Sequence, residues 1–178
     1  MIATPTDIQG LQLLEFKRFA DERGFFSGPY QAEEFAEALP GVDFKPVQVS
    51  HSRSRKGVLR GIHAEPWNKF VYVARGEIFG AYVDLRPENF GTVVTVTIPE
   101  GRGVFVPKGV ANSFQALSDE VDYVYVVDGL WKAGTSYPML AWGDSQLNIA
   151  WPITPPELSD KDKVNPSLEE VKSKLTQL

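Results

Sequence analysis

The densest chemistry in this chain lies in Gly57-Val58-Leu59-Arg60-Gly61-Ile62-His63. His63 is one of only two histidines. It follows Arg60 by three positions in an otherwise apolar stretch, and Lys69 comes six positions later, ahead of another apolar run. A neutral imidazole near two cations is suited to take a proton from a carbon beside a carbonyl, with the cations holding the anion so formed. A histidine in apolar surroundings is also commonly a core residue hydrogen-bonded to backbone, so the rest of the chain has to separate the two readings.

Other candidates are weaker one by one. His51, Arg53, Arg55, Lys56 and Arg60 form a basic run. Arginine forks suit phosphate oxygens, yet Arg53, Arg55 and Lys56 read most simply as a solvated loop. Arg60 sits inside an apolar segment and reads as a buried charge in need of a partner, which a ligand anion would supply. Asp21-Glu22-Arg23-Gly24-Phe25-Phe26 is either a turn into a strand or a loop joining a phosphate clamp to a stacking ring. Tyr125 shares a strand face with Tyr123 and is either a general acid or a core tyrosine. Asp162 is either the carboxylate that orients a histidine or a turn residue.

Bulk properties exclude whole classes. A chain of 178 residues, 43% hydrophobic and 23% charged, suits one domain over 1–178 with a single core. A net charge of −5 argues against a general nucleic-acid-binding surface. With no cysteine, thiol catalysis, disulfides and zinc–thiolate sites are excluded. Two histidines that are not spaced as a ligand pair exclude a three-histidine metal site, and no carboxylate cluster is visible, so no metal is expected. Neither a P-loop nor a Gly-x-Gly-x-x-Gly turn occurs. The N-terminus has no basic, apolar leader and no stretch reaches ~20 apolar residues, so the expected location is cytoplasmic, away from membranes.

The elements that must position these residues are mostly strands. In Val93-Val94-Thr95-Val96-Thr97-Ile98, apolar and polar residues alternate with the period of a half-buried strand. Lys69 to Ala74, Ile78 to Leu85 and Val121 to Val127 have strand composition, with Gly and Pro turns between them. This spacing predicts an all-β sandwich or barrel. Two helices are expected. One is Ala32 to Leu39. The other is C-terminal, opened by the capping box Ser167-Leu168-Glu169-Glu170 and carrying a stripe of Leu168, Val171 and Leu175. Residues up to Leu178 would equally suit a lead into a further domain. Arg60 and His63 have opposite parity along an ideal strand, so both reach one ligand only if the strand bulges or ends between them, and Gly61 is the natural place.

Taken together, these segments resemble the dTDP-4-dehydrorhamnose 3,5-epimerase family, cupin-fold epimerases of deoxysugar biosynthesis. The resemblance runs through Asp21-Glu22-Arg23-Gly24-Phe25-Phe26, Val58-Leu59-Arg60-Gly61-Ile62-His63, and Val83-Asp84-Leu85-Arg86 with Phe90-Gly91. It continues through Val106-Pro107-Lys108-Gly109-Val110-Ala111-Asn112-Ser113-Phe114, Ile149-Ala150-Trp151-Pro152 and Leu158-Ser159-Asp160-Lys161-Asp162. It implies a mostly β cupin jelly roll, sandwich or barrel, with short peripheral helices and a C-terminal helix. By the same resemblance His63 is the catalytic base, Asp162 its orienting carboxylate, Tyr125 the acid on the opposite face and Lys69 the holder of the enolate oxygen. Arg60 and Arg23 resemble nucleotide–diphosphate ligands, and Phe26 and Trp131 nucleoside-stacking groups. Gln48, Ser50, Asn112 and Lys163 resemble further substrate contacts.

The family uses no metal or cofactor and forms homodimers that exchange N-terminal strands, which would let Arg23 and Phe26 serve the partner's site. A fusion to, or pathway association with, dTDP-4-dehydrorhamnose reductase is also implied. Many members carry a second histidine where this chain has Asn112, and a longer connection than His63-Ala64-Glu65-Pro66-Trp67-Asn68-Lys69. Both departures resemble a branch found in some Gram-positive rhamnose pathways.

The chemistry fits the residue types. In a 4-keto sugar, loss of a proton from C3 or C5 leaves an enolate on the C4 oxygen. A histidine base, a cation at that oxygen and a tyrosine donor on the other face complete an inversion. The reaction expected is epimerisation of dTDP-4-dehydro-6-deoxy-D-glucose at both carbons. The alternatives are a single-carbon epimerase, a keto-isomerase on a related nucleotide sugar, and a jelly-roll sugar-binding module without catalysis.

Overall fold

The alternation read from the sequence becomes strand β9 in the computed structural model, which describes residues 1–175: Val94, Val96 and Ile98 turn inward while Thr95 and Thr97 face out. In chain order the elements are β1 (Ile2–Pro5), β2 (Gln12–Glu15), β3 (Arg18–Asp21), β4 (Gly24–Ser27), α1 (Ala32–Ala38), β5 (Gln48–Arg55), β6 (Leu59–His63), β7 (Lys69–Arg75) and β8 (Glu77–Asp84). Then follow β9 (Val93–Pro99), β10 (Arg102–Val106), β11 (Val110–Ala116), β12 (Glu120–Val127) and α2 (Leu168–Leu175).

Ten of these strands form two sheets, with orders β1-β2-β10-β7-β12-β5 and β6-β11-β8-β9, and β3 with β4 makes a separate hairpin. Every ladder between these strands is antiparallel. Val71, Val73, Val104 and Tyr123 from the six-stranded sheet meet Ile78, Tyr82, Ile98 and Phe114 from the four-stranded sheet in one buried cluster. The Phe114 and Tyr123 rings, 4.3 Å between centroids, join the layers. The result is a jelly-roll sandwich, not a closed barrel.

Both sheets are also covered outside, which is why β7 and β8 read as nearly continuous apolar runs instead of alternating. Phe35 of α1, with Phe16 and Phe44, packs on Phe70 and Phe105 of the six-stranded sheet. Leu140, Leu147, Trp151, Leu168 and Val171 pack on Leu59, Ile62, Ala81 and Val83 of the four-stranded sheet. The capping box forms as the sequence suggests: Ser167 N–H donates to Glu170 Oε2 at 2.7 Å, and Glu170 N–H to Ser167 Oγ at 3.3 Å. The stripe is shorter than expected, because Leu175 is 36% exposed. Residues 176–178, at the end of the segment read as a lead into a further domain, lie outside the described residues. Among the described residues no helix is long and apolar enough to cross a membrane.

Of the residues read as a solvated loop, Lys56 lies in an exposed turn, but Arg53 and Arg55 belong to a strand. His51, Arg53 and Arg55 form the outer face of β5, with Gln48, Ser50, Ser52 and Ser54 turned in. The segment has a strand period, but both of its faces are polar, so hydrophobicity does not reveal it. Arg53 grips Asp122 through Nε at 2.8 Å and Nη2 at 3.0 Å, and His51 Nε2 lies 2.9 Å from the same carboxylate. The Arg53 hydrogen bonds, opposed by partial burial and assisted by His51, hold the Asp122 carboxyl down at about 2, against an ordinary 3.8. A lowered carboxylate contributes stability that is complete above its unfolded pKa and is lost as pH falls through the folded one. The urea midpoint of the wild type is therefore expected to drop between pH 4 and pH 2 by more than that of Asp122→Asn. Equal drops would show that this carboxylate does not couple to folding.

Candidate active site

A cavity of about 640 Å³ opens between the sheets, lined by residues of β5, β7 and β12 from one and of β6 and β11 from the other. His63 and Arg60 reach it together because β6 is irregular. His63 pairs with Asn112 and Arg60 with Phe114, so three steps on β6 face two on β11. Such a bulge inverts the parity of everything beyond it. Arg60 and His63 then line the cavity, while Leu59 and Ile62 both enter the outer apolar cluster. Gly61 makes this possible. Its φ is +131°, and a Cβ there would lie 2.3 Å from Ser113 Cβ and 2.7 Å from Ser113 Cα.

His63 Nε2 is 2.7 Å from Asp162 Oδ1, and Ser159 Oγ donates to Asp162 Oδ2 at 2.8 Å. Asp162 is 6% exposed. Burial works to raise its pKa, but hydrogen bonds from His63, Ser159 and Asn165 outweigh burial and hold the carboxyl below its ordinary value. A carboxylate accepts only, so it selects the tautomer with the proton on Nε2 and leaves the lone pair on Nδ1. Nδ1 has no hydrogen-bond partner among the described residues.

Lys69 is 1% exposed, and its Nζ donates to Glu65 Oε2 and to Asn112 Oδ1. Burial pulls its pKa down, and the Glu65 charge and hydrogen bond oppose that pull. Tyr125 reaches the cavity from β12, its ring edge-on to Tyr123 at 4.9 Å. Burial pushes its hydroxyl up to about 12, with Ser52 and Arg60 acting the other way, so the phenol carries its proton at neutral pH.

Gln48, Ser50 and Trp131 line the cavity. Trp131 N–H donates to Gln48 Oε1 at 3.0 Å and Gln48 Nε2 to Ser50 Oγ at 2.8 Å, leaving the indole 52% exposed. Arg60 departs from its expected burial. It is exposed, held by Ser54 Oγ at 2.9 Å and the Arg53 carbonyl at 3.3 Å, because the bulge turns it out of the apolar layer.

Three of the residues read from the sequence are not brought to this cavity within the chain. Arg23 and Phe26 sit on the β3–β4 hairpin, where Arg23 bonds its own turn through Asp21 at 2.6 Å and Phe26 is 70% exposed. Lys163 bonds Asp160 at 2.7 Å and borders a neighbouring depression. The short 3-10 turn at Asp162–Val164 sends Lys161 into the cavity instead.

The sequence reading missed Glu65, Tyr137 and Lys161. Tyr137 lies 5.8 Å from the His63 ring, with the Lys161 ammonium 5.3 Å above its own ring. Glu65 stands four residues before Lys69, a spacing that also marks ordinary surface ion pairs, and its place between the histidine and the lysine was the available signal. Among the described residues no three His, Cys, Asp or Glu side chains are gathered as a metal site.

An oriented imidazole, a protonated phenol and a buried ammonium around one cavity place the protein among jelly-roll isomerases that move protons at carbon. The dTDP-4-dehydrorhamnose 3,5-epimerase family matches residues 5–170, and the chain belongs to that family. A dTDP-4-dehydrorhamnose 3,5-epimerase of Shigella flexneri is 39% identical, over 88% of this chain and 90% of its own. Two solved structures superpose closely. RmlC of Streptococcus suis, in complex with dTDP-D-xylose, has a TM-score of 0.90 at 38% identity over 96% of this chain and 93% of its own. The dTDP-6-deoxy-D-glucose-3,5-epimerase RmlC of Legionella pneumophila, in complex with dTDP-4-keto-L-rhamnose, has a TM-score of 0.89 at 35% identity, over 97% and 95%.

Proposed function

We propose that this enzyme epimerises dTDP-4-dehydro-6-deoxy-D-glucose at C3 and C5 to give dTDP-4-dehydro-L-rhamnose. The observation that carries the reading is the His63–Asp162 pair at 2.7 Å beside the buried Lys69. His63 Nδ1 takes the proton from C3 or C5, and Asp162 stabilises the imidazolium. The electron pair moves onto the C4 oxygen, where Lys69 holds the enolate. Tyr125 returns a proton to the same carbon from the opposite face, and Ser52 and Arg60 favour the phenolate that remains. Solvent exchange resets both groups, and the sequence repeats at the second carbon. Protein groups supply every step, so the proposal needs no cofactor and no metal.

Trp131, with Gln48, Ser50 and Arg60, suits the nucleotide end. Arg23 and Phe26 join it from a second copy, since the exposed rings of Phe19, Phe25 and Phe26 on the hairpin suit burial against a partner. The working form is then a homodimer, in the cytoplasm where its substrate would be made.

The test is incubation with dTDP-4-dehydro-6-deoxy-D-glucose in D₂O, followed by NMR. Deuterium at both carbons is expected. Deuterium at one carbon would reduce the protein to a mono-epimerase, and binding without exchange would make it a sugar-binding module. Tyr125→Phe is expected to keep exchange at the base's face while inversion falls about 10²-fold, in the range for loss of one general acid.

A further inference from the structure

We infer that Glu65 is a positioning residue for the reaction, which keeps Lys69 charged and aims its ammonium at the substrate's carbonyl oxygen; this rests on the epimerase reading above. An ammonium that is 1% exposed needs compensation, or it sheds its proton. Glu65 is the only carboxylate hydrogen-bonded to Nζ among the described residues, and Asn112, the other acceptor, is neutral. Together they occupy two of the three N–H bonds of Nζ. The third is left for a ligand in the cavity that Lys69 and Glu65 both line.

Glu65 acts in two opposite directions. Its negative charge weakens the positive field felt by an enolate, and it prevents deprotonation of Lys69. A neutral amine offers an enolate almost no electrostatic stabilisation, whereas a paired ammonium still donates a charge-assisted hydrogen bond. A fully buried lysine without a partner can titrate several units below its ordinary value. The second action therefore dominates. The other titratable groups around the pair are Tyr123 and Tyr125 from β12, Tyr137 from the segment that follows, and His63 from β6 with Asp162 behind it. The tyrosines are neutral at working pH and His63 is tied to its own carboxylate, so none of these groups replaces Glu65.

Glu65→Gln keeps the shape and an acceptor oxygen but removes the charge. Its kcat is expected to fall about 10²–10³-fold at pH 8, the range for loss of one electrostatic donor, with KM changed by a few-fold at most. The alkaline limb of kcat should move to lower pH, because Lys69 then loses its proton earlier, and the deficit should shrink towards pH 6. A purely structural role would lower Tm and leave that limb in place. Wild-type kcat with an unmoved limb would overturn the inference. Lys69→Met/Glu65→Gln, which leaves no unpaired buried charge, separates the two claims. If it is inactive while Glu65→Gln behaves as wild type, only the role of Glu65 fails. If it is active, the enolate role of Lys69 fails.

Discussion

His63→Ala is expected to lower kcat by about 10³–10⁴-fold and to leave dTDP binding within a few-fold of wild type. In the proposed mechanism His63 is the group that makes the enolate, so its loss removes the step on which the proposed roles of Lys69 and Tyr125 depend. The nucleotide contacts proposed at Trp131, Gln48 and Arg60 do not involve the imidazole. Asp162→Asn tests the same unit from behind. An amide facing Nε2 can donate, which lets the ring turn its lone pair inward and its N–H to the substrate, the wrong tautomer for a base. In serine protease triads the equivalent change costs about 10⁴ in rate. Because the two side chains act as one unit, His63→Ala/Asp162→Asn should be no slower than His63→Ala alone. Steady-state rates with deuterium exchange at C3 and C5 read both results. Exchange at wild-type rates in His63→Ala would remove it as the base.

The second large effect is on the fold. Gly61→Ala is expected to destabilise the protein by about 2–6 kcal/mol, combining overpacking with a strained backbone. The added methyl would meet Ser113 Cβ at 2.3 Å, on the central strand next to β6, with φ at +131°. The ladder cannot open without disturbing Ala111 and Phe114, both buried on either side. In a chain of this size such a loss lowers Tm by roughly 5–20 °C. If β6 instead relieved the clash by expelling its extra residue, His63 would turn to the opposite face and activity would vanish with the fold intact. Thermal melts and activity of one preparation distinguish these outcomes. A variant of wild-type Tm and wild-type rate would show that the bulge positions nothing.

The bulge also shows what could be read from the sequence. Opposite parity of Arg60 and His63, with a glycine between, was enough to require an irregularity there. The strands were readable wherever one face is apolar, as in β9, and the capping box gave the start of α2. β5 was not, because serines and basic residues alternate along it and neither face is hydrophobic. His63 and Lys69 were suggested as a base and an anion-holding cation by their types and spacing. The family's motifs were needed to favour that reading over a core histidine and to pair His63 with Asp162, since a loop aspartate carries no such meaning in one sequence. Glu65 and Tyr137 act through contacts set by the path of the chain after β6 and β12, and nothing in their local spacing separates them from surface residues. The detached β3–β4 hairpin belongs to the same class, because its exposed phenylalanines have no local pattern that says what they are for.

The two halves of the proposed base lie 99 residues apart in sequence, His63 in the middle of the chain and Asp162 near its end. Bringing such distant segments together is slow compared with forming hairpins such as β8–β9. The segment that carries Asp162 also seals the outer face of the four-stranded sheet through Leu140, Leu147 and Trp151. A chain growing from the ribosome can therefore pair most of its strands while still lacking the carboxylate that hydrogen-bonds His63. In refolding, recovered turnover is a late signal that the C-terminal segment has closed over a largely formed sandwich.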